Sequence, residues 1–117
     1  MFLRLNHQSL DLYSLSKSLV LECYKMTNAL PPEEKFAMVS QIRRAALSVH
    51  LNIAEGASRK SLNERKRFFE IARSSLVEID SALDIAAALN YIAHLNLEAM
   101  EEKMIRCFKI LTVLIRQ

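Results

Sequence analysis

Six basic residues, Arg59, Lys60, Arg65, Lys66, Arg67 and Arg73, lie within fifteen positions of one another. Guanidinium and ammonium groups gathered in this way neutralise phosphate oxygens, so the run is a candidate nucleic-acid-binding surface that reads backbone charge and shape. No aromatic stacking platform, zinc finger or groove-reading helix motif accompanies it, and base readout is not expected. Lys66, Glu70 and Arg73 share a helical face, where i,i+3 and i,i+4 pairs consume some charge at only a few tenths of a kcal/mol each. The competing reading is a basic surface that confers solubility or docks against acids of a neighbouring protein.

Charge is segregated along the chain. Residues 35–73 hold nine bases and three acids, residues 74–102 hold six acids and no base, and residues 103–117 hold four bases, within a net charge of +3. Such alternation suits either a phosphate-binding surface or mutually attracting surfaces within an oligomer.

Catalytic spacings are scarce. His7, His50 and His94 fall in three separate segments, outside any H-E-x-x-H or E-x-x-H pattern, which disfavours zinc and di-iron sites. Cys23 and Cys107 are far apart and lie on apolar stripes, as buried thiols of a reducing compartment would. Ser48 has no identifiable base, and Glu55 with Arg59 at i,i+4 reads as a salt bridge or cap. The expectation is a protein that is not an enzyme, with no catalytic residues, metal or other cofactor.

The elements that position these groups follow from composition and period. The 117 residues include one glycine, two adjacent prolines, no tryptophan and 51% hydrophobic residues. Too few turn-formers remain for an all-β fold, and the apolar content is ample for a core. Leu12, Leu15, Leu19, Cys23 and Met26 recur at helical steps and predict a helix over about 9–28. Pro32, Glu33 and Glu34 predict the start of a second helix running to about Ala54, with core residues Val39, Ile42, Ala46, Val49 and Ile53. Gly56 is expected to close it in the left-handed conformation. Ser61 and Glu64 form a capping-box pattern that opens a third helix, whose stripe is Phe69, Ala72, Leu76, Ile79, Leu83, Ala86 and Asn90. Asn96 is expected to N-cap a fourth, with Leu97, Met100, Met104, Cys107, Leu111 and Leu114. The fold class is therefore all-α: a single domain over 1–117, an antiparallel up-down-up-down four-helix bundle. No signal peptide or membrane span is recognisable, and a cytoplasmic protein is expected.

Apolar residues remain outside these stripes. Ile71, Ile85 and Leu89, Leu47 and Leu51, and Ile110 and Val113 give three helices a second apolar side, which predicts a homo-oligomer. Gln41, Arg44, Ser48, Asn52 and Glu55 occupy one polar sector of the second helix. They suit either a solvated face or a ladder of hydrogen bonds along or between helices.

The run Gln41-Ile42-Arg43-Arg44-Ala45-Ala46-Leu47-Ser48-Val49, then Asn52-Ile53-Ala54-Glu55-Gly56 and Arg59, resembles the signature of four-helix-bundle proteins encoded in intervening sequences of bacterial large-subunit rRNA genes. Residues Phe69 to Glu78 and Leu89-Asn90-Tyr91-Ile92 resemble two further family blocks, and the likeness spans nearly the whole chain. Ser74, His50 and Asn90 depart from the family's frequent glycine, proline and glycine. The resemblance implies a homopentamer with a central channel. Related accessory variability determinants of diversity-generating retroelements share the architecture and are associated with nucleic acid and a reverse transcriptase. It also implies structural or interface roles for Gln41, Arg43, Arg44, Ser48, Asn52, Glu55 and Gly56. RNA or DNA and a second copy are the expected partners; an interaction scaffold for an acidic protein partner is the alternative.

Overall fold

The computed structural model describes residues 2–117. It consists of α1 (Asp11–Thr27), α2 (Met38–Ser58), α3 (Leu62–Ala88) and α4 (Glu98–Arg116), with 3-10 turns at Asn6–Ser9 and Pro32–Glu34 and no strand among the described residues. All five stripe residues of α1 and all five of α2 are buried, because three- and four-residue steps return them to one side of each helix. They pack with Phe69, Ala72, Leu76 and Ile79 of α3 and Met100, Cys107 and Leu111 of α4.

Each helix packs against its neighbours in sequence, and α1 packs against α4. Partner numbers run in opposite senses along each seam. Ser16 and Thr27 of α1 meet His50 and Arg43 of α2, while Ser48 and Gly56 of α2 meet Ser75 and Phe69 of α3. Lys66 and Arg73 of α3 meet Gln117 and Thr112 at the far end of α4. No helix is long and apolar enough to cross a membrane among the described residues.

Four sequence expectations are corrected. The second helix does not run continuously from Pro32 to Ala54. Proline starts only the short turn Pro32–Glu34, Ala37 is non-helical (φ −119°, ψ −96°), and α2 begins at Met38 and continues to Ser58. A tertiary bond fixes that separate turn, since the Tyr91 hydroxyl donates to Glu34 Oε2 at 3.0 Å. Gly56 is not a left-handed helix terminator: it lies inside α2, and its φ is not positive. What it supplies is space, because a Cβ there would sit 2.8 Å from Phe69 Cε1 and 3.1 Å from Phe68 Cβ.

The left-handed position belongs instead to Asn90, with φ 62°. Asn90 is exposed rather than a core residue, and it ends α3. The Tyr91 N–H donates to the Ala86 carbonyl (2.9 Å) and the Asn90 N–H to the Ala87 carbonyl (3.0 Å), the paired bonds of a Schellman terminus. Asparagine tolerates this conformation, which explains its presence at a helix end. Asn96 also sits one residue before the cap position, which Leu97 occupies; its Oδ1 accepts from the Glu98 N–H at 3.1 Å. The Ser61 cap forms as expected, accepting from the Glu64 N–H at 3.3 Å.

Candidate nucleic-acid interface

The basic residues enter at the α2–α3 connection and the first turns of α3, and the structure divides them. Arg59 pairs with Glu55 at 3.1 Å, and its guanidinium lies 5.0 Å from the centre of the Phe68 ring. Lys66 donates to the Gln117 carbonyl at the end of α4. Arg73 donates to Thr112 Oγ1 at 3.3 Å and lies 5.9 Å from the Phe108 ring centre. The expected Lys66–Glu70–Arg73 pairing is thus replaced by bonds from both cations to α4. These three cations are held in place, whereas Lys60 and Arg67 are exposed and Arg65 is half-buried.

The bond between Lys66 and Gln117 has a further consequence. It brings the end of α4, with exposed Arg116, beside the start of α3. Two basic segments separated by the acidic stretch 74–102 therefore share one end of the molecule. Periodicity alone does not show this, because it depends on which way α4 runs past α3. The acids Asp80 and Glu101 lie with Leu97 towards the other end of the same seam.

The polar sector of α2 forms bonds within the chain. Gln41 Nε2 donates to Glu78 Oε2 at 3.0 Å, and Ser75 Oγ donates to Ser48 Oγ at 2.8 Å. Asn52 Nδ2 donates to the Ser48 carbonyl at 2.8 Å and to Ser48 Oγ at 3.1 Å. Arg44 is exposed at the rim of a depression of about 280 Å³ that Gln41, Ser48, Ser75 and Glu78 also line. The ladder links α2 to α3 at its Gln41 and Ser48 rungs. Arg43 faces the opposite seam: its Nε donates to the buried Thr27 Oγ1 (2.8 Å) and its Nη2 to Asn28 Oδ1 (2.9 Å) and the Tyr24 carbonyl (3.4 Å). Its guanidinium lies 4.7 Å from the Tyr24 ring centre, so one side chain secures the C-terminal end of α1.

One cluster was not legible in the linear spacing. Tyr13 is flanked by His50, with ring centres 4.6 Å apart, and by His7 at 5.6 Å, so two of the three scattered histidines converge. The Ser16 hydroxyl donates to the Tyr13 carbonyl (3.0 Å) and lies 2.8 Å from His50 Nδ1. Burial first, then the charges of Lys17 and His7, hold the His50 imidazole below its ordinary 6.5. Ser16 is fully buried and already bonded, which suits a packing contact rather than a nucleophile open to substrate. Burial likewise pushes the thiols of Cys23 and Cys107 up to about 12, far from a reactive thiolate. No group of three or more His, Cys, Asp or Glu residues converges as a metal site among the described residues.

Of the second apolar side, Leu47, Leu51, Ile71, Ile85, Leu89 and Val113 are exposed, while Ile110 packs partly against the core. The family model described as 23S rRNA-intervening sequence protein matches residues 8–113. A solved crystal structure of a protein of unknown function from the S23 ribosomal protein family of Bacteroides thetaiotaomicron superposes with a TM-score of 0.80. It is 22% identical, over 91% of this chain and 99% of that one, and shows the shared fold. No curated protein matches the chain.

Proposed function

The chain belongs to the 23S rRNA-intervening sequence protein family, and from that premise we propose that it is a non-enzymatic homo-oligomer binding RNA or DNA through a repeated basic end, with little sequence specificity. The observation that carries this reading is the union of the α3 start with the α4 end, which gathers bases from two distant segments. Lys60 and Arg67 are exposed and point charge into solvent, where phosphate is reached without breaking an existing bond. Arg59 and Arg73 are pre-set by aromatic rings, which reduces the ordering cost of binding.

The opposed seams support an up-down-up-down bundle as the repeating unit. The exposed aliphatics of α2, α3 and α4 support burial between copies, and the family resemblance favours five. Repetition of a weak phosphate site within one assembly raises avidity without any new contact. A soluble, cytoplasmic protein fits this use.

Binding to structured RNA and duplex DNA across a salt series tests the reading. Log K falls linearly with log salt, by about 0.9 per neutralised phosphate on duplex DNA. Charge reversal at Lys60 and Arg67 together flattens the slope by about one for each side chain. Absence of binding at low salt overturns it, and retention of an acidic protein under the same conditions favours the scaffold alternative.

A further inference from the structure

The outer side of α3 and α4 carries an open groove of about 350 Å³, floored by Leu76, Val77, Met104, Ile105 and Phe108 and edged by Asp80 and Lys109. A second depression of about 300 Å³ continues it past Asp80 and Ile105 to Leu83 and Glu101. Val77, Ile105 and Phe108 are all exposed there, a contiguous apolar strip with acids at one end. The chain also has an apolar segment that packs against almost nothing. Phe2 is 89% exposed and Leu3 75%, Leu5 is exposed too, and Arg4 between them bends the backbone with φ 49°.

We propose that residues 2–5 of one copy occupy the α3–α4 groove of a second copy. The chemistry matches on both counts. Phe2, Leu3 and Leu5 supply apolar side chains for the Val77–Ile105–Phe108 floor, and Arg4 supplies a positive charge for the acidic end of the groove, where Asp80 and Glu101 lie. The segment does not occupy the groove of its own chain. It is followed by the turn Asn6–Ser9, which packs on α1 and α2, whereas the groove lies between α3 and α4. The contact joins two different surfaces, residues 2–5 of one copy and the groove of another, and when passed head to tail from copy to copy it closes rings. It rests on the reading that the chain self-associates, and it adds the identity of one contact.

The chain contains no tryptophan, so Phe2→Trp places a single indole at the segment. Steady-state emission and acrylamide quenching are read on the full chain, with mass by light scattering on the same samples. The expected result is a blue-shifted, protected indole where the protein is assembled, becoming water-exposed on dilution to monomer. Val77→Glu or Ile105→Glu, both at exposed sites, raises quenching at least twofold at concentrations where the assembly persists. An exposed indole within an intact assembly overturns the contact and leaves self-association standing. A monomeric mass at every concentration overturns self-association and the contact with it. Protection that persists once the mass has fallen to that of a monomer places the segment on its own chain, and protection indifferent to both glutamates places it outside the groove; each also overturns the proposal.

Discussion

The seams made by α2 and those made by α4 are built differently. Along α2, both seams are dense in specific polar bonds: Arg43 to three groups of the α1 end, the Ser16–His50 contact, Ser75 to Ser48, and Gln41 to Glu78. Gly56 adds a contact against Phe69 too close for any side chain. Along α4, the seam with α3 has polar bonds only at its basic end, Lys66 to Gln117 and Arg73 to Thr112, and opens beyond them into the apolar groove, while the seam with α1 has Lys103 and Glu22 at 4.0 Å and a weak Cys23–Met100 sulfur contact at 4.0 Å. Polar bonds of fixed geometry specify register, whereas apolar contact tolerates rearrangement. The family-like run from Gln41 to Arg59 therefore coincides with the helix whose register is most constrained.

Substitutions sharpen or break that contrast. The largest effect is expected for Gly56→Leu. Even a Cβ collides with the Phe69 ring, and overpacking at the upper end of the usual range costs about 3 kcal/mol. Urea unfolding measures it, and a midpoint equal to the wild type would show that the α2–α3 seam yields freely. Arg43→Ala comes next, at about 2 kcal/mol, since a charged donor is lost from three acceptors. Below it, a double-mutant cycle with Ser48→Ala and Ser75→Ala should give a coupling of about 1 kcal/mol.

Acidity probes the α1–α2 seam. The folded state holds His50 below 6.5, so the unfolded chain takes up its proton first as pH falls. This contribution to stability is fully present above that value and declines on acidification through it; His50→Gln should flatten the profile in thermal melts at pH 5 to 8. The smallest change is expected on the other side of the comparison. Ile105→Ser in the open groove should alter folding of the single chain by no more than about 0.5 kcal/mol. A loss comparable to that of Arg43→Ala would show that the α4 seams are as tightly specified as those of α2.

Local pattern was enough for the helices and their buried sides. The α1 and α2 stripes are buried throughout, and Ser61 caps α3, because three- and four-residue steps and a hydroxyl three residues before an N–H are local geometry. Gly56 and Asn90 depart from their local patterns for a common reason. Both are explained by neighbours: a glycine after a helical stripe looks like a terminator until Phe69 is placed against it, and an asparagine in register looks like core until the chain turns back at Tyr91. The basic cluster was legible as charge, but not as a division between tethered Arg59, Lys66 and Arg73 and exposed Lys60 and Arg67.

By itself, the sequence determined that the chain is helical, which faces are apolar, and that positive and negative charge alternate in blocks, since these depend on residue type and local period. The tertiary structure decided where those blocks meet. The reversed run of α4 along α3 joins two basic segments that lie more than thirty residues apart in the chain. It also leaves Val77, Ile105 and Phe108 beside Asp80 in a single groove. Contacts between helices depend on direction and rotation, and no single helix encodes either.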